Sequence, residues 1–278
     1  MHTPLSKTLT LVAPFALAAS LSHATLVSEE SFSYTAGDLN GNGSAADAGW
    51  DGAWVDDQST DVQVGASSLS FGSLSTAGGS ISKSVNGQQS LTRATTFTPG
   101  ANPDLWMSFL FSFDDAQGGQ LAGTDMLHIG LANADNSGND EAGLRIQSDG
   151  SNGLLAYLDN DGNLSAASFA MAEATTYLFV FNMNTAGNLS LTINPTNIGS
   201  TDLAPSGGTT IVSSEATAAD NYNFFRIRTR KAANDWSADE IRFGSSYADV
   251  VPVPEPGTYA LLAGMCAFSA VALRRRQS

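Results

Sequence analysis

Cysteine and histidine are scarce in this sequence, and their scarcity excludes several kinds of chemistry. The 278 residues include one cysteine, Cys266, and three histidines. Cys266 lies in an apolar segment near the C-terminus, so the main part of the chain has neither a disulfide nor a thiol. His128 is the only histidine of that part, and a zinc site of the usual histidine and cysteine type cannot be assembled around it. We therefore expect a hydrophobic core alone to stabilise the protein.

Residues 1–24 have the three parts of a secretion signal peptide. Lys7 lies in a short polar start, an apolar stretch runs from Leu9 to Ala19, and small residues precede position 25. The apolar stretch is too short for a membrane-spanning helix, and no stop-transfer pattern follows it. We expect a signal peptidase to cut between Ala24 and Thr25 during export.

Residues 251–278 at the other end also have three parts. The first is a proline-rich segment made of Val253, Pro254, Glu255 and Pro256. An apolar segment of about 17 residues follows, close to the shortest helix that crosses a bilayer. The last part is a basic cluster made of Arg274, Arg275 and Arg276. Arginines beside a membrane helix stay in the cytoplasm, so we expect a transmembrane anchor with the rest of the protein on the far side.

This order of proline-glutamate-proline, apolar helix and arginines resembles the PEP-CTERM sorting signal of Gram-negative bacteria. The resemblance implies that an exosortase cuts the chain near Val253 to Pro256 and that the helix is then discarded. It also implies a membrane-anchored intermediate and a final location at the cell surface or in the extracellular (biofilm) matrix. An anchor that is never cut is the alternative.

Basic residues are scarce between the two ends. Of the 12 Lys and Arg residues, Lys7 and the three terminal arginines lie outside Thr25 to Pro254, which leaves eight. Of the 27 Asp and Glu residues, only Glu255 lies outside, which leaves 26 and a net charge of 8 − 26 = −18. Such a charge disfavours nucleic acid and anionic lipid as partners. It favours solubility and the binding of cations.

Sustained helical periodicity is lacking between residues 25 and 250, where short alternating segments are separated by Gly, Asn, Asp and Ser. This pattern predicts one all-β domain of ten or more short strands, arranged as a jelly-roll sandwich of two antiparallel sheets. The strongest segment runs from Leu105 to Phe113, with its odd-numbered apolar residues on one face. A hairpin is expected where Tyr177 to Asn184 turns at Gly187-Asn188 into Leu189 to Asn194.

Three motifs near the ends of this domain also resemble a known group of proteins. They are Glu30-Ser-Phe-Ser-Tyr34, Gly49-Trp-Asp-Gly-Ala-Trp54 and Asp239-Glu-Ile-Arg-Phe-Gly244. They are similar to segments of exosortase-sorted surface proteins whose bodies are related to concanavalin A-like and laminin-G-like jelly rolls. The resemblance implies the fold, and a fold alone does not define a function.

A catalytic set is not apparent in the sequence. Glycoside hydrolysis needs two carboxylates on one face, and the carboxylate spacings of laminarinase-type jelly rolls do not occur here. Asp239 and Glu240 are adjacent, and adjacent strand residues face opposite sides of a sheet. A Ser-His-Asp triad would have to use His128, and no Gly-x-Ser-x-Gly motif is present. We expect a non-catalytic protein, and a secreted glycan-cleaving enzyme with carboxylates from separate strands is the alternative.

Calcium is the cofactor that the acidic loops suggest. Asp38, Asn40 and Asn42 match the first half of an EF-hand-type calcium loop, although its bidentate glutamate is missing. Asp159 and Asp161 belong to a similar segment, and a third oxygen-rich loop runs from Asp135 to Glu141. Plain turns are the alternative for all three, including a hairpin turn between Leu158 and Leu164.

Tryptophans supply the evidence for carbohydrate binding. Trp50 and Trp54 flank a glycine-rich segment, and Trp236 could join them, because exposed aromatic rings on loops stack on sugars. The alternative is burial in the core, which we expect for Trp106 as well.

Arg226, Arg228 and Arg230 alternate with other residues and so form a basic stripe on one face of a strand. We expect a solvated face beside acidic neighbour strands, with a contact for an anionic extracellular polysaccharide as the alternative.

Overall fold

The protein is an all-β sandwich, as its sequence predicts. The structure, a computed structural model, describes residues 26–56, 62–84, 89–97, 104–113, 127–133, 141–149, 153–199, 202, 204–216, 222–229 and 235–252. These residues form two antiparallel sheets and one short helix, α1 (Tyr247–Val250).

The first sheet contains nine of the described strands. They are β1 (Leu26–Glu30), β2 (Gly37–Asp38), β4 (Val62–Gly65), β5 (Ser80–Lys83), β7 (Asp104–Phe113), β12 (Thr175–Asn184), β13 (Asn188–Ile193), β14 (Thr209–Ala216) and β16 (Trp236–Gly244). Their order is β14-β13-β12-β7-β16-β5-β4-β2, and β1 also pairs with β16.

The second sheet contains seven described strands. They are β3 (Val55–Asp56), β6 (Gln89–Ala94), β8 (Leu127–Ala132), β9 (Glu141–Ser148), β10 (Leu154–Asn160), β11 (Asn163–Met171) and β15 (Phe224–Thr229). Their order is β11-β10-β9-β8-β15-β6-β3, so strands that are distant in sequence lie side by side. We call the face of this sheet that points away from the core the outer face.

The hydrophobic core lies between the two sheets. The odd-numbered residues of β7 all enter it, namely Leu105, Met107, Phe109, Phe111 and Phe113, which confirms the predicted alternation. Leu110 lies on the opposite face of β7, where it joins a second, smaller apolar cluster with Leu178, Val180 and α1. The nine-stranded sheet is therefore covered on both faces.

Tight turns join the predicted hairpins. Asp161 and Gly162 have φ angles of 55° and 80°, and they connect the paired residues Asn160 and Asn163 of β10 and β11. Two positive φ angles define a type I′ turn, which suits Asp-Gly. In the hairpin of β12 and β13, the amide of Gly187 donates to the carbonyl of Asn184 (2.9 Å), as the sequence predicts.

A β-bulge in β16 breaks the alternation that would place the side chains of Asp239 and Glu240 on opposite faces of the sheet. Glu240 has a φ of 53°, and the register shifts between Asp239 and Arg242. Asp239 accepts a hydrogen bond from the amide of Leu69 (2.8 Å), and Glu240 accepts one from the amide of Ala77. Both carboxylates are buried, so together they hold the segment 66–79 over the nine-stranded sheet.

The last described residues are fixed to the same sheet. Val250 and Val251 are buried, and the carbonyl of Val250 accepts a hydrogen bond from Ser108 Oγ (2.5 Å). The carbonyl of Pro252 accepts one from the amide of Ser75 (3.2 Å). The folded body therefore extends up to the residue that precedes Val253.

Candidate functional site

A row of polar side chains crosses the outer face of the seven-stranded sheet. Arg228 of β15 lies opposite His128 of β8, which lies opposite Arg145 of β9. Arg145 in turn lies opposite Tyr157 of β10, which lies opposite Ser168 of β11. Neighbouring strands are about 4.8 Å apart, so the five side chains follow one another across the face at about this spacing. We call these five residues the polar row.

Strand alternation explains why the polar row faces outward. The residues adjacent to its members, such as Ile227, Ile129 and Leu144, are buried in the core. Successive side chains point to opposite faces of a strand. The row becomes more accessible toward both ends: His128 is 4 % exposed, Arg145 14 % and Arg228 26 %. Tyr157 is half-buried and Ser168 is exposed.

The next row of residues across the outer face contains two glycines, which have no side chains to project from the sheet. Gly130 and Gly143 lie opposite each other between Arg226 of β15 and Asp159 of β10. A Cβ atom on Gly130 would lie 2.2 Å from the carbonyl oxygen of Ala142, so the strands approach too closely for any side chain there. The glycines leave the centre of the outer face to the long side chains around it.

Ion pairs connect the buried part of this face. The carboxylate of Glu141 contacts Arg226, Arg228 (3.3 Å) and Arg145 (3.7 Å). Arg145 Nη2 also lies 2.5 Å from Asp159 Oδ2. Three guanidinium groups from two strands thus surround two carboxylates, Glu141 and Asp159, which leaves one positive charge in excess when both carboxylates are ionised.

Burial and charge together set the protonation of this cluster. Burial lowers the pKa of His128 to about 4, and the nearby arginines act in the same direction against Glu141. His128 is therefore neutral at physiological pH. Burial raises the pKa of Asp159 to about 6, although Arg145 opposes it. Burial also acts to raise the pKa of Glu141, but the positive groups around it, His128 when protonated, Arg226 and Arg228, outweigh burial and lower it.

His128 is a buried polar side chain of this face that makes no hydrogen bond to the described residues. Neither ring nitrogen has a hydrogen-bond partner among the described residues, although the side chain is almost fully buried. Its Nδ1 lies 3.7 Å from Glu141, which is an electrostatic contact and too long for a hydrogen bond. A neutral imidazole offers one donor and one acceptor. Both nitrogens are closed to solvent, so a ligand can reach this imidazole only if the side chains around it move.

The same residues make a poor metal site. Ligand atoms of His128, Glu141 and Asp159 lie within 4.8 Å of one another. Arg145 Nη2, however, contacts Asp159 Oδ2 and lies 3.7 Å from Glu141 Oε2, so a guanidinium takes the place that a cation would need. Arg226 also contacts Glu141. These fixed positive charges repel a divalent ion, so the donor set fits an arginine better than a metal.

The expected solvated arginine stripe is wrong for the described residues. Arg226 is 2 % exposed and paired with Glu141, so it lies within the ion-pair cluster. Arg228 is more accessible and belongs to the polar row. The acidic partner comes from β9, which lies two strands from β15, and the residue of β8 that lies opposite Arg226 is Gly130, which has no side chain to stand between them. Arg230 lies outside the described residues.

The structure does not support a tryptophan platform. Trp50, Trp54 and Trp236 are at most 1 % exposed and belong to the core. Trp50 and Trp54 pack edge to face on Phe225. Burial of these large rings is favourable because each ring removes more apolar area from water than a smaller side chain does. Trp106 differs from our expectation in the other direction: it is half-buried on the far face of β7, where it packs on Tyr247.

Two of the three terminal motifs meet in a buried network around Glu30. This carboxylate accepts hydrogen bonds from the amide of Phe32 (2.8 Å), from Tyr34 Oη (2.7 Å) and from Trp54 Nε1 (3.0 Å). Arg93 forms an ion pair with it, and both side chains are almost fully buried. A pocket of about 350 Å³ opens beside the network. The saturated bonding around Glu30 indicates that these motifs stabilise the fold.

The loops considered for calcium have turn geometry. Asp38 Oδ1 accepts a hydrogen bond from the amide of Asn40 (3.1 Å), and Asn40 Oδ1 accepts one from the amide of Asp56 (3.1 Å). Asn42 Nδ2 donates to the carbonyl of Asp38 (2.6 Å). These bonds account for the three residues as a turn, and calcium binding there stays a prediction.

Asp159 and Asp161, the acidic residues of the second calcium candidate, lie in two different surroundings. Asp159 points into the ion-pair cluster of the outer face, and Asp161 lies in the exposed type I′ turn. Their carboxylates therefore serve different structures. Of the third loop, Glu141 begins β9 and belongs to the ion-pair cluster, whereas Asp135 lies outside the described residues.

Sequence comparison places a known motif at the C-terminus. Residues 252–276 match the PEP-CTERM protein-sorting motif. The motif implies export, a membrane-anchored sorting intermediate and processing by an exosortase. Its residues from Val253 onward, including Pro254, Glu255, Pro256 and the three arginines Arg274, Arg275 and Arg276, lie outside the described residues, as do Ala24 and Thr25. Within the described residues, no helix has the length and apolarity needed to cross a membrane.

Structural comparison finds solved proteins with a similar jelly-roll fold. A Shewanella oneidensis MR-1 protein of unknown function is similar with a TM-score of 0.53 and 16 % identity, over 87 % of this chain and 98 % of its own. The catalytic domain of a glycoside hydrolase family 131 protein from Coprinopsis cinerea is similar with a TM-score of 0.50 and 12 % identity, over 84 % and 99 %. The carbohydrate recognition domain of Emp47p gives a TM-score of 0.41 and 14 % identity, over 66 % and 88 %. No curated protein matches the chain in sequence.

Proposed function

We propose that this protein is a non-catalytic surface or matrix protein of a Gram-negative bacterium, and that its outer face binds carbohydrate. The observation that carries the proposal is the polar row, in which the partly exposed guanidinium groups of Arg228 and Arg145 lie on either side of the buried imidazole of His128. Guanidinium groups offer hydrogen-bond donors only, and the oxygens of sugars accept such bonds. The sorting motif supports delivery to the cell surface, where extracellular polysaccharide is the available ligand.

The fold is compatible with this proposal but does not carry it. A similar fold serves as the catalytic domain of a glycoside hydrolase in Coprinopsis cinerea, which is an analogy at the level of the fold alone. The tryptophans that suggested sugar stacking are in the core. Carbohydrate binding therefore depends on the hydrogen-bonding groups of the outer face.

Glycan cleavage is the second candidate, because two carboxylates from separate strands do share the outer face. Glu141 of β9 and Asp159 of β10 lie there beside a neutral histidine. Both carboxylates are engaged by arginines, whereas a general acid or nucleophile must reach the substrate. Because arginines already occupy both carboxylates, we expect the protein to bind a glycan without cleaving it.

A paired assay separates the two functions. The exported protein is applied to a glycan array, and the bound glycans are then incubated with it while reducing ends and unsaturated products are measured. Binding without product is the expected result. Product formation that disappears in Glu141→Gln would replace the binding function with the enzymatic one.

A further inference from the structure

We infer that the ligand of the outer face is an anionic polysaccharide whose acid groups are bound by Arg228 and Arg145. The inference rests on the proposed carbohydrate function and adds the chemical class of the ligand. It is carried by the placement of the arginines and by their accessibility.

The first step concerns the distribution of positive charge. Thr25 to Pro254 contains eight basic residues against 26 acidic ones. Three of the eight, Arg145, Arg226 and Arg228, lie together on the outer face around Glu141. Salt screens charges beyond about 8–10 Å, so a local group of arginines can attract an anion although the protein as a whole is acidic. A polyanion that approaches any strongly acidic surface of this protein is repelled, which limits its binding to such a place.

The second step concerns spacing along the polar row. Arg228 and Arg145 lie two strands apart with His128 between them, a separation of about 10 Å at the usual strand spacing. A chain laid across the strands would meet Arg228 and Arg145, with the buried imidazole of His128 below it. A polymer that repeats acid groups can place one of them at each arginine. Guanidinium forks bind such acid groups through two parallel hydrogen bonds.

The third step concerns accessibility and exchange of partners. Arg228 is the most exposed arginine of the cluster, and its contact with Glu141 is long at 3.3 Å. Arg145 is partly exposed as well and lies opposite the half-buried ring of Tyr157. A ligand carboxylate can therefore approach these two guanidinium groups from solvent. Arg226, which is 2 % exposed, stays with Glu141 and keeps that carboxylate neutralised.

The experiment compares three polymers on the exported protein by isothermal titration calorimetry. Polygalacturonate carries carboxylates, dextran sulfate carries sulfates and dextran is neutral. We expect polygalacturonate and dextran sulfate to bind, and their binding to weaken steeply as salt is raised. Dextran should not bind measurably. Binding of dextran with neither charged polymer bound would overturn the anionic class.

Arginine variants assign the binding to the outer face. Arg228→Gln and Arg145→Gln should each weaken polygalacturonate binding about tenfold or more, the usual effect of losing a charge-assisted hydrogen bond. Arg228→Gln is the safer of the two for folding, because Arg228 is the more exposed and makes the longer contact. Arg242→Gln is the charge control: it removes the same charge from the other sheet, where Arg242 is buried and pairs with Glu29 (2.9 Å) and with Glu240. It should leave binding unchanged when measured below its melting temperature.

The outcomes distinguish this inference from the function on which it rests. If no glycan binds, the proposed carbohydrate function is wrong. If dextran and polygalacturonate bind equally and without salt dependence, carbohydrate binding stands and the anionic class is wrong. Polygalacturonate binding that survives in both Arg228→Gln and Arg145→Gln, or that is lost equally in Arg242→Gln, would also overturn the assignment.

Discussion

Replacing Arg93 with methionine tests whether the Glu30 network stabilises the body. Arg93 is 1 % exposed and its guanidinium forms an ion pair with Glu30, which is 4 % exposed. The same guanidinium lies 4.6 Å from the ring centre of Trp50 and also pairs with Asp47. Arg93→Met keeps an apolar side chain of similar length in the core. It leaves the carboxylate of Glu30 buried without its counter-charge.

The expected loss of unfolding free energy is about 3–5 kcal/mol, the usual cost of removing one partner of a buried ion pair. A domain of ordinary stability, with about 5–15 kcal/mol in total, would lose a large part of it. Asp47→Asn is the matched control, because Asp47 is 43 % exposed and contacts the same guanidinium. An exposed pair contributes at most about 1 kcal/mol.

Urea unfolding measures both variants, and the midpoint should fall for Arg93→Met while the slope stays the same. Adding Glu30→Gln to Arg93→Met should recover part of the loss, because it removes the unpaired charge. Equal stabilities of Arg93→Met and Asp47→Asn would show that Glu30 and Arg93 do not form a buried ion pair. The same reasoning would be refuted if the double variant lost more unfolding free energy than the two single variants lose together.

Three further predictions concern the core, the pH dependence and the tail. Trp50→Ala and Trp54→Ala should each cost about 3–5 kcal/mol in urea unfolding, and more than Trp106→Ala, whose ring is half-buried; equal costs would contradict the burial of the first two. Burial raises the pKa of Asp239 from 3.8 to about 7, although its hydrogen bonds oppose this. Because the folded state then binds the proton more tightly than the unfolded state, the unfolding free energy should fall as pH rises from about 4 to about 7, and Asp239→Asn should flatten that fall; a variant with an unchanged pH profile would exclude this carboxyl as the cause. Replacing Pro254-Glu255-Pro256 with alanines should leave the protein in the membrane fraction at its uncut mass, and release at normal size would contradict exosortase processing.

Local patterns in the sequence were sufficient for the strands and hairpins. The alternation from Leu105 to Phe113 defines a core face by itself, since side chains of a strand alternate whatever strand lies beside it. The Asp161-Gly162 turn is equally local, because two positive φ angles favour Asp-Gly. Both features were confirmed.

The candidate site could not be predicted in the same way, because it depends on register between distant strands. His128, Arg145 and Tyr157 meet in one row only after β8, β9 and β10 pair, and Arg228 joins from β15, far along the chain. The alternation within each strand indicates which face a residue occupies, but not which residue lies abreast of it. The alternation of arginines in β15 was the signal available in the sequence. It identified a strand that belongs to the site, but it predicted more exposed arginines than the structure has.

The β-bulge in β16 limits sequence reasoning for a different reason. Adjacent carboxylates were expected to face opposite ways, yet Asp239 and Glu240 both hold the segment 66–79. A bulge inserts one residue and breaks the alternation at that point. Its position is set by pairing with β7, which is not visible in the local sequence.

A crystal structure of the exported protein with a bound oligogalacturonate tests the central claim most directly. We predict that the sugar chain crosses β15, β8, β9 and β10 on the outer face, with carboxylates within hydrogen-bond distance of Arg228 and Arg145. An oligosaccharide bound elsewhere, for example in the pocket beside Glu30 and Arg93, with the polar row unchanged, would contradict it.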